Sequence, residues 1–181
     1  TANRWAIPVT FRSGGSSLSG QALGDGLVID VRSQFQEIIN IEPSYVRAQP
    51  GVNVSRVNGH LLRHGRKIGP DPASMVVSTL GGVVANNSSG MSCGVANNSY
   101  ATILGATIVF ADGFMFDTTT SDSEKVLERH KPELVKGLLE IRESLRSHTD
   151  TVDDIRRLFR LKNTMGYSLQ AFLDYDSPVE I

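Results

Sequence analysis

Apolar residues occupy every second position at Trp5, Ile7, Val9 and Phe11, a period of two that predicts a short strand running into the glycine-rich stretch RSGGSSLSG at 12–20. LVIDV at 27–31 reads as a strand, and so do the short apolar runs Glu37–Ile41 and 45–51, the last ending in a Pro-Gly turn. The period then lengthens. Val54, Val57, Leu61 and Leu62 share one face of a helix over 55–64, with Asn53 or Ser55 as its cap and Gly65 as a left-handed stop. A rigid turn at Pro70–Pro72 marks a boundary near 71. Further on, 106–111 is a strand, Asp112–Gly113 turns it, and 115–119 returns antiparallel.

The rest is helical in pattern. Pro132 suits a first helical position, and Leu134, Leu138, Ile141 and Leu145 follow it at helical spacing. A second helix over 151–161 is expected to turn Val152, Ile155, Leu158 and Phe159 inward. Residues 162–168 break the pattern, a short helix follows, and Val179 and Ile181 read as the start of a strand. The strand that opens the chain and the one that closes it predict further elements on either side of this sequence.

Composition bounds what such a chain can do. With 181 residues, 40% hydrophobic and 20% charged, it is globular in character and large enough for one domain or two small lobes. A net charge of -1 leaves no electrostatic footprint for nucleic acid. The single cysteine, Cys93, excludes an internal disulfide and a cysteine-held cluster, and reads as a buried structural thiol. His60 and His64 lie four apart, but no HExxH frame surrounds them and Arg63, Arg66 and Lys67 crowd their end. A solvated basic helix end is the better reading, and no metal site is expected. No apolar run is long enough to cross a membrane, and no leader of basic then apolar residues opens the chain.

One distribution changes the picture. From Pro72 to Ala111 there are 40 residues without an Asp, Glu, Lys or Arg. At the chain's own charged content of 20%, about eight would be expected there. The stretch mixes VV, GGVVA and TILGATIVFA, so a buried or ligand-facing segment is expected. It contains a second glycine-rich run, 81–94, in which Thr79 can cap a helix opening at Leu80 and Gly81–Gly82 permit close packing. Asn86, Asn87, Asn97 and Asn98 suit either ligand amides or turn caps.

Glycine and serine in a tight turn expose main-chain N–H groups, which is what a phosphate needs. Gly14 and Gly15 would allow close approach, and Ser16 and Ser17 would add hydroxyls. A purely structural turn accounts for the same residues. The loop lacks the lysine of GxxxxGK[ST] and the spacing of GxGxxG, so neither of those phosphate devices applies. Two such segments flanking an uncharged stretch suit a long, partly apolar ligand with phosphates in its middle, such as a dinucleotide.

At these residues the chain resembles the FAD-binding module of the vanillyl-alcohol oxidase/PCMH type. Within that superfamily it resembles the FAD-linked oxidase branch of glycolate oxidase subunits and D-lactate dehydrogenases. The resemblance rests on VTFRSGGSSLSG, on GPDPASMVVSTLGGVVANNSSGMSCG (69–94), on the ADG turn at 111–113 and on KNTMGYSLQAFLD (162–174). It covers essentially the whole chain.

The resemblance implies an α+β, two-lobed PCMH-type fold, incomplete at both ends. A first lobe, 1–71, would hold a small parallel or mixed sheet. A second, 72–181, would hold a larger antiparallel sheet with flanking helices, and FAD would lie in the groove between lobes. It implies that Arg12, Ser13, Gly14, Gly15, Ser16, Ser17 and Gly20 wrap the pyrophosphate. Pro70, Asp71, Thr79, Gly81, Gly82, Asn86, Ser89, Gly90 and Gly94 would line the flavin. Arg12 would brace the loop or meet phosphate charge, with an ion pair to a local carboxylate as the plain alternative. Ser13 and Ser16 stand where a glycine and a threonine are commoner. No histidine precedes His60, so non-covalent FAD is expected.

The implied activity is oxidation of a D-2-hydroxy acid to the 2-keto acid, with electrons passed to an acceptor. The alternatives are a related flavoenzyme acting on another alcohol or a nucleotide-sugar, and a non-enzymatic scaffold of the same fold. A substrate domain, and in long relatives an iron-sulfur domain, would lie beyond Ile181. No catalytic acid or base is assigned, and the chain alone is expected to be inactive and to retain FAD weakly or not at all. The resemblance also implies a cytoplasmic protein that can sit peripherally at the inner membrane face.

Overall fold

A computed structural model describes residues 2–164 and 166–181 and divides the chain into two compact units, Thr1–Thr102 with Asn163–Gly166, and Ile103–Lys162 with Tyr167–Ile181. The division falls after Thr102, not near 71. Segment 72–102 stays with the first unit because main-chain bonds tie it there: Leu80 N–H donates to Val52 O at 2.9 Å and Gly81 N–H to Pro50 O at 2.9 Å.

In the first unit, β1 (Val9–Arg12) pairs in parallel with β2 (Leu27–Asp30), Val9 opposite Leu27 and Arg12 opposite Asp30. Trp5 belongs to a preceding 3₁₀ turn, so the strand is shorter than the alternation predicts. β3 (Ile38–Ile41) and β4 (Val46–Ala48) form an antiparallel pair.

Helix α1 (Val54–Leu61) starts at Asn53, whose side chain accepts the Arg56 N–H, and its end tightens to a 3₁₀ turn closed by Gly65 at φ 64°. That tightening carries Leu62 off the apolar face, and it lies exposed where the periodicity turns it inward. Val52, Val57 and Leu61 form the core, against which Ile38, Ile41, Val46, Ala48, Ile68 and Leu80 pack. A fully buried valine contributes about 1.5–3 kcal/mol. This core fixes α1 and so the segments bonded to it. Two short helices follow, α2 (Leu80–Ala85) and α3 (Ser99–Thr102).

The uncharged segment, read as buried or ligand-facing, is buried through its polar more than its apolar side chains. Val76, Val84, Met91 and Leu104 are exposed, while Ser78, Thr79, Asn87, Ser89, Asn98 and Ser99 are buried. The physical reason is local: polar side chains cap the backbone of tight loops. Tyr100 N–H donates to Asn87 Oδ1 and Ala101 N–H to Asn98 Oδ1, each at 2.9 Å. Ser99 Oγ donates to Val83 O at 3.0 Å.

The second unit holds the hairpin β5 (Thr107–Val109) and β6 (Met115–Asp117), with Gly113 at φ 89° in its turn. Helices α4 (Ser123–His130), α5 (Pro132–Arg146), α6 (Thr149–Phe159) and α7 (Ala171–Asp174) follow. Among the described residues its sheet has two strands and is not the larger antiparallel sheet expected, because most of the remaining sequence carries helical periodicity. Pro132 opens α5 as its composition predicts. In α6, Ile155 is buried but Leu158 is exposed. At roughly 100° per residue, Leu158 lies well off the face shared by Val152, Ile155 and Phe159. Residues 178–180 form a turn, with Ile181 N–H on Ser177 O at 3.0 Å, rather than a strand.

Candidate functional site

The two glycine-rich segments meet within the first unit. β1 delivers Arg12 and Ser13 to the start of the loop, and the Ser13 hydroxyl lies 2.8 Å from Thr79 Oγ1 and accepts the Thr79 N–H at 3.1 Å. Thr79 occupies the cap position of α2 with extended backbone, but its own side chain makes no cap bond. Its hydroxyl is turned to Ser13, and the first N–H groups of α2, those of Leu80 and Gly81, are met instead by Val52 O and Pro50 O. A Cβ on Gly14 would run into the Val77 carbonyl, so the loop packs backbone to backbone on residues 77–78. Gly81 and Gly82 pack closely as predicted, against Pro50 and Ser13 respectively.

Gly15 takes the left-handed conformation, φ 66°, beside the Arg12 guanidinium. Arg12 donates to Ala22 O at 3.4 Å, joining the two ends of the loop, and makes no ion pair among the described residues. Asp30, at the end of β2, pairs instead with Arg32 at 2.5 Å, which holds its carboxyl at about 2. Ser16 and Ser17 are exposed, and the Ser17 hydroxyl turns to the Gln21 side chain. Among the described residues, the main-chain N–H groups of Gly14, Gly15, Ser16 and Ser17 have no acceptor within the chain. That is the donor set a phosphate would use. Gly20 instead closes a local turn, accepting the Leu23 N–H at 3.0 Å.

A second cluster gathers Asp71, Gly90 and Cys93. Asp71 Oδ2 accepts the Ser92 N–H and Oδ1 the Cys93 N–H, each at 3.1 Å. Gly90 lies directly beneath Asp71, and its N–H points at Cys93 Sγ, 3.0 Å away. Cys93 is buried in this turn as a structural thiol. Desolvation pushes the Asp71 carboxyl up, but the bonds from Cys93 and Ser92 outweigh it and hold the group below its usual 3.8.

A carboxyl lowered by folding stabilises the fold fully above its unfolded value and loses that contribution as pH falls through the folded one. Acidification below about pH 4 is therefore expected to loosen the 90–94 turn. In urea titrations at pH 7 and pH 3.5, Asp71→Asn should lose less stability between the two pH values than the unsubstituted chain. Equal losses would refute the clasp.

Pro70 is buried beside Asp71, and Asn86 ends α2 with its amide on Ser88 Oγ at 3.2 Å. Gly94 turns left-handed at φ 55° with open space beside it. Ser89 is buried, and its hydroxyl has no partner among the described residues. An unpaired buried hydroxyl is costly unless something else satisfies it. Its presence, with the unpaired loop amides and a single carboxylate whose oxygens are already engaged, fits a phosphate-bearing ligand with further hydrogen-bonding groups. His60 and His64 stand exposed at the end of α1 and take no part.

Sequence reasoning sees Asn53 only as a helix cap. Its amide nitrogen also donates to Val76 O at 2.7 Å, Ser78 O at 3.2 Å and Met75 O at 3.4 Å. Nothing local in the sequence signals bonds that span 22 to 25 residues.

The pattern of a family described as FAD binding domain matches residues 1–119. The chain is 36% identical over 94 residues to the glycolate oxidase subunit GlcD of Escherichia coli (strain K12), covering 50% of this chain and 19% of that protein. It is 32% identical over 111 residues to the D-2-hydroxyglutarate dehydrogenase of the same organism, covering 60% and 11%. It is 28% identical over 114 residues to the D-lactate dehydrogenase of Archaeoglobus fulgidus, covering 62% and 26%. A solved alkyldihydroxyacetonephosphate synthase shares the fold at TM-score 0.55 and 21% identity, over 64% of this chain and 23% of that one. The chain thus spans 11% to 26% of the length of these curated relatives.

Proposed function

Because this chain belongs to the FAD binding domain family, we propose that its loop 12–20 and segment 69–94 hold FAD in an oxidoreductase acting on a D-2-hydroxy acid of the lactate or glycolate type. The observation that carries the reading is the row of unpaired N–H groups at Gly14–Ser17, in a loop whose base is pinned to Thr79 by Ser13. Those amides would bind the pyrophosphate. The Ser89 hydroxyl would gain in the flavin the partner it lacks, and Asp71 would keep the 90–94 turn in place. The substrate class follows from the relatives, named for glycolate, D-2-hydroxyglutarate and D-lactate, each a carboxylic acid with a hydroxyl on carbon 2. When bound, flavin supplies the hydride-accepting chemistry that turns such an acid into its 2-keto product. The chain's own residues bind and orient the cofactor, and none is assigned to the substrate's proton.

Titration of the chain with FAD and with riboflavin tests the reading through quenching of flavin fluorescence. Saturable binding of FAD is expected, at least tenfold tighter than riboflavin, since riboflavin has no phosphate for the loop amides to bind. Equal affinity for both, or no binding of either, would refute it. In a longer protein carrying this segment, anaerobic D-lactate or glycolate is expected to bleach the visible absorption of the bound flavin as it is reduced. Bleaching only by alcohols lacking the carboxylate would move the substrate class.

A further inference from the structure

We infer that Asn53 is a positioning residue of the candidate cofactor site, holding in place the segment on which the phosphate-binding loop rests. The inference builds on the FAD reading but stands on contacts of its own.

The Asn53 side chain is used at both ends. Its Oδ1 accepts the Arg56 N–H at 3.2 Å, the ordinary bond of a helix cap. That acceptor role fixes which way the amide faces. Its Nδ2 then points at three carbonyls, those of Val76 at 2.7 Å, Ser78 at 3.2 Å and Met75 at 3.4 Å. Ser55, the second residue of α1, adds a bond from its hydroxyl to Met75 O at 3.2 Å. The main chain continues the link: Val54 N–H donates to Ser78 O at 3.1 Å, and Asn53 forms an isolated bridge with Thr79.

The far side of segment 75–79 is where the loop sits. Gly14 packs on the Val77 carbonyl, and Ser13 bonds the Thr79 hydroxyl and N–H. Order therefore passes from the buried core at Val52 and Val57, through Asn53, to segment 75–79 and then to the loop. Only asparagine suits this position. Aspartate would cap α1 equally well but would face three carbonyls with a second oxygen. Serine would cap it but is too short to reach them.

Asn53→Ser separates the two roles, because it keeps the cap and removes only the bonds to 75–78. Leu127→Ala, at a buried position of α4 in the second unit, serves as a control that lowers stability without touching the segment or the core beneath it. FAD affinity is expected to fall about tenfold in Asn53→Ser, while Leu127→Ala keeps its affinity at temperatures where it is folded. Amide exchange at Gly14 and Thr79 should quicken in Asn53→Ser beyond any change in Leu127→Ala. Should Asn53→Ser fail to fold, Asn53→Asp replaces it, with the same outcomes expected.

Unchanged FAD affinity and unchanged exchange in the Asn53 variant would overturn the inference and leave the FAD reading intact. Should the unsubstituted chain bind no FAD, that reading fails. The exchange comparison then decides the inference alone: faster exchange at Gly14 and Thr79 supports it and unchanged exchange overturns it.

Discussion

Replacing Gly90 by alanine is expected to cost about 3 kcal/mol of stability and to abolish detectable FAD binding. The methyl group would fall on the main-chain oxygen and Oδ1 of Asp71. Neither is the free end of a flexible side chain. Asp71 is held by the Ser92 and Cys93 N–H groups, and its backbone lies between the buried Pro70 and Pro72. Relief requires either Asp71 to release both amides or the 88–94 turn to lift away. Each bond to a charged acceptor is worth about 1.5–3 kcal/mol, and lifting the turn exposes Cys93 as well. Chemical denaturation at pH 7 measures the loss. Gly59→Ala is the matched control, because nothing lies within 4 Å of the added atom in the middle of α1. It is expected to be neutral or to stabilise by up to about 1 kcal/mol through helix propensity. A Gly90→Ala chain as stable as the Gly59→Ala chain would show that the clasp is not as described.

Arg146→Ala is expected to unravel α7 in the second unit at a cost of about 2 kcal/mol, with FAD binding retained. α7 is a single turn, Ala171–Asp174, so the carbonyls of Phe172 and Leu173 lack helical partners of their own. Arg146, on the last turn of α5, supplies them. Its Nε donates to Phe172 O at 2.8 Å, and one terminal nitrogen to Tyr175 O at 2.8 Å and Leu173 O at 3.4 Å. The ion pair with Asp176 at 2.6 Å contributes less. That carboxylate is 85% exposed, and solvent screens most of its attraction. The carbonyl bonds are part-buried and dominate. Arg146→Lys should not restore the loss, because one ammonium cannot span carbonyls that the planar fork reaches together. Amide exchange at Tyr175, whose N–H bonds to Ala171 O at 3.0 Å, reads the effect directly. Unchanged protection in Arg146→Ala would show that α7 stands without the arginine. A parallel loss of FAD binding would show that the second unit supports the site.

Much of the local structure was legible because it depends on neighbours in the chain. Asn53, Gly65, Pro132 and Asp112–Gly113 each punctuate the backbone through their own conformational limits, and each stands where those limits predict. The strands at 27–31, 37–41 and 45–51 follow from short β-branched and apolar runs. Inward and outward faces were less legible. Leu62 and Leu158 belong to apolar patterns, yet lie outside because a 3₁₀ turn and the helical angle rotate them away from the packed face. The uncharged segment 72–111 reads as buried or ligand-facing, and its composition does not say which side chains go inside: the loops bury the serines and asparagines that cap them and leave Val76, Val84 and Met91 exposed.

The glycine-rich loops themselves belong to the sequence. Glycine and serine at 12–17 and 81–94 expose backbone wherever the chain places them, since no Cβ or bulky side chain covers the amides. Which surfaces those loops press against was decided by tertiary structure. Ser13 meets Thr79 across 66 positions, Asp71 meets Cys93 across 22, and Asn53 reaches Ser78 across 25. Each contact requires an intervening segment to fold back and its ordering entropy to be offset by burial elsewhere, here at Val52, Val57 and Leu61. Local propensity carries no information about that balance, which is a property of the packed chain as a whole.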